Sequence, residues 1–295
     1  MSKTATLTTA ARLFPLVLAL VSSGLAQSAT ETPTSCTFQP VQVQTDYTAV
    51  YGINNRGVIV GTCNPNSGTQ WGYVLKDATV TNIAWPDAAF TSAYGLNDYG
   101  TVVGTYAKTL TSTDLGYVWA KGIFSSIAYP GALATYPQGI NIHNTIVGTY
   151  QDAQGAVHGF LYSGGKYFAI NYPNAQSTIA GQINNNGVIA GAYTDSSNVE
   201  HGFTYRNGTF TVIDYPSAAN TYVSAVNNNG VVAGTYYDHS YSTWVGFVWS
   251  NGTFRNIVDP SAPTQTAVTG INDGGVLVGN ADYSGAGFKV IGCAP

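Results

Sequence analysis

Charge is scarce in this chain: Asp, Glu, Lys and Arg together make up only 8% of its 295 residues. Long solvent-exposed helices draw heavily on Glu, Lys, Leu and Ala, so the shortage argues against them. The net charge is −4 and the 10 Lys and Arg form no cluster. Without a basic footprint, nucleic acid and anionic membrane surfaces are poor partners. No apolar run is long enough to span a bilayer. Beyond residue 35 there is a single Glu, Glu200. The chain also lacks Gly-x-Ser-x-Gly, His-Glu-x-x-His, calcium-loop and phosphate-loop patterns.

Glycine and tyrosine are abundant instead, at 34 and 21 residues. That balance favours strands joined by tight turns. An apolar content of 44% is too high for a disordered stalk. Residues 1–26 have the layout of a secretory signal: Lys3 and Arg12, an apolar stretch from Leu13 to Leu20, and a small-residue cleavage site at Gly24-Leu25-Ala26. Residues 27–35 form a polar linker, and residues 36–295 are expected to be one domain.

That domain repeats itself. Six copies are anchored by Thr48…Asn54, Thr91…Asn97, Thr135…Asn141, Thr178…Asn184, Thr221…Asn227 and Thr266…Asn272, with anchor-to-anchor spacings of 43, 44, 43, 43 and 45. A unit of this size cannot bury its own faces and must stack on its neighbours. In the fourth copy, Thr178–Ile183 meets the turn Asn184-Asn185-Asn186-Gly187, and Val188–Tyr193 is the second strand. A polar loop leads to a third strand at His201–Tyr205. Arg206-Asn207-Gly208 turns into a fourth at Thr209–Ile213, and Tyr215-Pro216 ends it. Four antiparallel strands per repeat make a propeller blade.

The sixth copy stops after three strands. Its missing fourth is supplied by the other end of the domain, where Cys36-Thr37-Phe38-Gln39-Pro40-Val41 aligns with Gly208–Ile213. The expected fold is therefore an all-β, six-bladed β-propeller whose N-terminal strand completes the last blade. A sandwich or an open solenoid would leave the terminal repeats uncapped. Cys36 and Cys293 both fall at the turn position of that interrupted hairpin, which predicts a disulfide in place of the turn. Cys63 stands where other copies have Tyr106, Tyr150, Tyr193 and Tyr236, and a buried packing thiol is expected.

The phrase Gly52-Ile53-Asn54-Asn55 through Gly61, followed in later copies by His158-Gly159-Phe160-Leu161-Tyr162, resembles the HAF family of bacterial extracellular repeat proteins. The resemblance spans residues 45 to 291 and implies secretion and a propeller-like fold. It implies no activity, because the matching positions are scaffold ones. The third copy departs, with Ile142-His143-Asn144; Asn144 can still take the left-handed turn conformation.

Strand order puts the near-identical Asn turns on one face and the variable loops on the other, where function preferentially lives. The anchor Asn and Thr rings are expected to cap turns rather than hold a metal. Asp152, Asp195 and Asp238 open the variable loops of three consecutive blades, and Asp282 does so in the sixth. Tyr172, Tyr193, Tyr215 and Tyr236 lie nearby. Carboxylates beside aromatic faces suit a sugar: rings stack on apolar C–H faces and acceptors take hydroxyl hydrogens. Solvated turns and inter-blade packing are the structural alternative at each position.

His158, His201 and Glu200 are the candidate acid–base groups if the chain is a secreted hydrolase or lyase. No cofactor is expected; Ca²⁺ on Asp195, Asn198 and Glu200 is the exception considered, with too few ligands for a usual site. The leading expectation is a secreted or periplasmic monomer that binds extracellular carbohydrate through its loop face. A polysaccharide hydrolase or lyase, or a structural matrix protein, are the alternatives.

Overall fold

The computed structural model describes residues 36–43, 47–64, 69–109, 111–262, 264–281 and 286–293. The expected signal segment, the linker and Asp282 lie outside them. The described residues form six four-stranded antiparallel sheets arranged as a ring, a six-bladed β-propeller. Blade 1 comprises β2 (Tyr47–Ile53), β3 (Ile59–Asn64), β4 (Trp71–Lys76) and β5 (Thr79–Ile83). Blade 2 comprises β6 (Phe90–Leu96), β7 (Val102–Ala107), β8 (Leu115–Ala120) and β9 (Ile123–Ile127). Blade 3 comprises β10 (Ala134–Ile140), β11 (Ile146–Gln151), β12 (Val157–Ser163) and β13 (Lys166–Ile170). Blade 4 comprises β14 (Ser177–Ile183), β15 (Ile189–Thr194), β16 (Glu200–Arg206) and β17 (Thr209–Val212). Blade 5 comprises β18 (Thr221–Val226), β19 (Val232–Asp238), β20 (Thr243–Ser250) and β21 (Thr253–Ile257).

Blade 6 is assembled from both ends of the chain. Its strands β22 (Thr266–Ile271), β23 (Leu277–Ala281) and β24 (Ala286–Ile291) are completed by β1 (Thr37–Val41), which pairs antiparallel with β24. Cys36 and Cys293 are disulfide-bonded, with Cα atoms 5.0 Å apart. The bond stands where other blades have a two-residue turn. Phe38 packs edge-on against Phe288, so the docked strand also fills the layer it closes.

The core lies between blades. Phe160, Phe203, Phe247, Tyr73 and Tyr117 occupy the same place on the third strand of their blades and are fully buried. Cys63 is fully buried beside Tyr73 and takes no part in the disulfide, as its position predicts.

Each anchor Asn performs two tasks. The Asn184 Oδ1 accepts the amides of Asn186 (3.0 Å) and Val188 (2.9 Å), closing its own turn. Its Nδ2 donates to the backbone carbonyl of Asn227, the equivalent residue of the next blade, at 2.8 Å. The donor chain runs Asn54 to Asn97, Asn141, Asn184, Asn227, Asn272 and back to Asn54, with every bond between 2.8 and 3.2 Å. All six residues are buried. The anchor Thr side chains are equally buried, and five of them accept a crossover amide at 2.9–3.0 Å, as Thr178 does from Tyr172. Both rings are structural. In the third copy Asn144 takes the left-handed conformation at φ 57°.

The axis is closed near the Asn turns. Two residues before the anchor, four blades carry Gly52, Gly95, Gly139 and Gly270. A Cβ at Gly95 would lie 2.4 Å from the Gln138 carbonyl, and one at Gly139 would lie 2.8 Å from the Gln182 Cα. At these glycines the neighbouring inner strand comes too close for a side chain. Blade 4 has Gln182 at this position, and its Nε2 donates across the ring to the Tyr51 carbonyl of the opposite blade at 3.3 Å.

Two outcomes follow. Peptide mapping without reduction should recover Cys36 linked to Cys293, and removing the bond in a double Ser variant should lower stability by at most about 5 kcal/mol, the loop-entropy limit for so long a loop. Asn184→Ala removes three hydrogen bonds and leaves buried donors and an acceptor unmatched; urea unfolding should show a loss of about 2–4 kcal/mol.

Candidate functional site

The loop face is built where second strand, variable loop and third strand meet. In blade 4, Asp195 follows β15 and folds back over its own turn. Its Oδ1 accepts the amides of Ser197 (2.8 Å) and Val199 (2.9 Å), and its Oδ2 lies 3.5 Å from Nε2 of His201. The other His201 nitrogen, Nδ1, meets Asp214 Oδ2 at 2.8 Å. Asp214 is itself steadied by the Gly202 amide on its Oδ1 at 3.2 Å. A doubly protonated imidazole can donate to both carboxylates, whereas a neutral ring can donate to one.

Blade 3 repeats the arrangement. Asp152 Oδ1 accepts from Gln154 and Ala156, each at 2.9 Å, and its Oδ2 meets His158 Nε2 at 3.1 Å. His158 Nδ1 lies 3.1 Å from Asn171 Oδ1. In both blades the side chains remain partly open to solvent, at 24–40%. Both carboxyls are held below their ordinary range. For Asp152 the main cause is the His158 hydrogen bond; for Asp195 it is the Val199 amide, with His201 contributing less.

The tyrosines stack on each other. Tyr172 lies flat on Tyr193 with centroids 3.6 Å apart and planes 3° from parallel. Tyr215 and Tyr236 pair in the same way at 3.6 Å and 5°. Tyr193 and Tyr236 are buried at 9% and 5% exposure, so neither offers an open ring face to a ligand. Burial, and then the hydroxyl of the partner ring, raises the pKa of both. His201 extends the first stack, 4.9 Å from Tyr193, and His158 extends the equivalent Tyr129–Tyr150 pair of blade 3, 5.0 Å from Tyr150. The four tyrosines singled out in the sequence thus pack within the blades, with Tyr172 and Tyr215 half-buried.

The third expected carboxylate differs from the other two. Asp238 Oδ1 caps the Ser240 amide at 2.8 Å, and the residue across from Tyr236 is Val245 rather than His. Asp238 therefore has no equivalent imidazole partner.

The candidate acid–base residues are not gathered into one centre. Glu200 and His201 are successive residues of β16 and face opposite sides of the sheet. Glu200 pairs with Thr194, while His201 pairs with Tyr193. Burial raises the Glu200 carboxyl, and its charge adds to the burial that raises the Tyr222 hydroxyl. His158 belongs to the neighbouring blade. With both nitrogens of each His turned to protein oxygens, neither ring presents a nitrogen to a substrate. The Ca²⁺ reading fails on the same geometry: Asp195 turns to His201, and Glu200 lies on the other side of the hairpin. Among the described residues no three His, Cys, Asp or Glu side chains are grouped to hold a metal.

Asp214 and Asn171 complete the arrays and were not anticipated. A signal for them exists in the repeat. Counting 13 positions on from the residue equivalent to His158 and His201 gives Ala84 after Trp71 in blade 1, Ala128 after Leu115 in blade 2 and Val258 after Val245 in blade 5. It is polar only after His158 and His201. Imidazole and polar partner thus occur together in blades 3 and 4 and are both missing from blades 1, 2 and 5.

No family model and no curated protein matches the chain. Solved structures do. AofleA from Arthrobotrys oligospora is 13% identical with a TM-score of 0.56, and the match covers 88% of each chain. A fucose-recognising fungal lectin from Aleuria aurantia, a six-bladed β-propeller, is 11% identical with a TM-score of 0.52, covering 85% of this chain and 98% of the lectin. TolB from Acinetobacter baumannii is 10% identical with a TM-score of 0.57; 80% of this chain matches 64% of that one. At such identities the likeness is one of fold.

The two depressed carboxyls make different predictions. Because folding lowers their pKa values, the stability they contribute is present above about pH 4, the unfolded Asp value, and is lost as pH falls through the folded one. Side-chain carboxyl NMR titration should place both midpoints below about 3.9. His158→Ala should raise the Asp152 midpoint more than His201→Ala raises that of Asp195, since backbone amides dominate the second. Equal rises would contradict this assignment.

Proposed function

We propose that the protein is a secreted module that binds neutral extracellular carbohydrate through its loop face. The observation that carries this reading is the pair of equivalent Asp–His–Asp/Asn arrays in adjacent blades. The anchor Asn bonds recur in all six blades, but among the described residues these arrays occur in two blades only and as complete units. They are partly open to solvent, and they offer carboxylate and amide oxygens, each held in place by an imidazole, as acceptors. That is the equipment needed to accept hydrogen bonds from sugar hydroxyls. Two copies on neighbouring blades allow one polymer chain to engage both, which multiplies a weak single-site affinity.

Three further observations support the reading. The surface carries little charge, which suits a neutral ligand. The disulfide is of a kind that persists in oxidising compartments, and the repeat phrase resembles an extracellular family. Among propellers of the same architecture, the Aleuria aurantia protein is a lectin.

The test is native electrophoresis through gels cast with β-glucan, xylan or mannan. Retardation in at least one gel without clearing of the polymer is expected. Asp195→Ala with Asp214→Ala should reduce the retardation, and the same changes at Asp152 and Asn171 added to them should abolish it. Unretarded migration in every gel would refute the reading, and clearing of a polymer would replace binding with catalysis.

A further inference from the structure

Blade 5 departs from its neighbours on the opposite face of the same hairpin. In blades 3 and 4 the last residue of the second strand and its cross-strand partner are Gln151 with Val157 and Thr194 with Glu200. Blade 5 places Tyr237 opposite Trp244 at this register and extends the ladder one further pair, to Asp238 and Thr243. Cross-strand partners project from the same side of a sheet. The two rings meet edge to face, with centroids 5.3 Å apart and planes 62° apart. One ring can thus act as a floor and the other as a wall.

The surroundings complete an L-shaped ledge. His239 stands edge-on to Tyr237 at 5.2 Å. Tyr241 at the loop tip is 80% exposed, the most open large apolar side chain among the described residues. Both Tyr237 and Trp244 are half-buried, unlike the closed Tyr pairs of the neighbouring register. The loop is anchored from both sides: Tyr237 N donates to Asn220 O at 3.0 Å, and the Thr243 hydroxyl bonds the Thr264 carbonyl of the following crossover. Trp244 also bridges to Gln265, whose Oε1 is buried with no hydrogen-bond partner.

We infer that this ledge is a second carbohydrate subsite, taking a β-linked glucopyranosyl residue against Trp244 and Tyr237. A pyranose with all-equatorial hydroxyls presents flat C–H faces, which match an aromatic floor. A sugar with an axial hydroxyl breaks that face. The inference rests on the carbohydrate reading above but uses none of the residues of the blade 3 and blade 4 arrays.

Cellohexaose is the probe, with α-1,6-linked mannohexaose, which carries an axial hydroxyl, for comparison. Calorimetric titration should show cellohexaose bound more tightly, and its addition should change tryptophan emission in the wild type but not in Trp244→Phe. Trp244→Ala should weaken cellohexaose binding by roughly five- to tenfold, while Trp244→Phe stays within about threefold. Thermal unfolding of each variant confirms that it folds. If the wild type is retarded by a polymer but Trp244→Ala and Trp244→Phe bind cellohexaose unchanged, the ledge is not a subsite and the carbohydrate reading stands. Equal binding of the two hexaoses would overturn the assigned sugar. A wild type retarded by no polymer would remove both readings.

Discussion

One asparagine side chain per blade joins the six sheets at their inner ends. Its carbonyl oxygen closes its own hairpin turn, and its amide donates to the backbone carbonyl of the next asparagine, so the last bond from Asn272 to Asn54 completes a cycle. A cycle of this kind has no end residue with unmet hydrogen-bonding groups. It also fixes each blade's height and rotation relative to the next, because donor and acceptor belong to the same residue type in the same turn. The glycine positions beside it let the inner strands touch, and Gln182 bonds across the axis to the opposite blade. The turn end of the propeller is therefore a tight, closed plate. That plate leaves the loop face as the variable one.

Closure at the rim complements closure at the axis. The described residues begin in blade 6 and end in it, so the last sheet has its fourth strand only when β1 docks on β24. Hydrogen bonds, the Phe38–Phe288 contact and the Cys36–Cys293 bond act at one place. The inter-blade layers can then be near copies of one another, since none has to be adapted as a cap. This uniformity makes deviations informative. Blades 3 and 4 carry the imidazole arrays and blade 5 carries the aromatic ledge; no other blade has His at the first position or a Tyr–Trp pair at the second.

Much of this was legible in the chain itself. The repeat spacing, the two turn signals in each copy and the split last copy are local patterns that permit few three-dimensional solutions. The missing hairpin turn, replaced by two cysteines, identified the point of closure, and the position of Cys63 among tyrosines indicated burial. The loop carboxylates Asp152 and Asp195 were also visible as a recurring offset from the anchor. Their Asx-turn bonds to Gln154, Ala156, Ser197 and Val199 are what turn chemistry leads one to expect.

What the sequence determined alone was the periodic scaffold, because a repeated short-range pattern dictates a repeated unit, a unit too small to stand alone must stack on its neighbours, and a last copy split between the two ends closes the stack into a ring. The tertiary structure decided what the side chains between repeats do. Tyr172 and Tyr193 are 21 residues apart, and only the crossover path stacks them face to face, which closes surfaces that composition alone left open for a ligand. Glu200 and His201 are adjacent in sequence, yet strand pleating sends them to opposite sides. His201 and Asp214 are 13 residues apart and meet at 2.8 Å because the fourth strand returns beside the third. Contacts of this kind depend on which sheet face a residue occupies and on which strand lies next to it. A one-dimensional pattern encodes the first through alternation, and only the folded ring supplies the second.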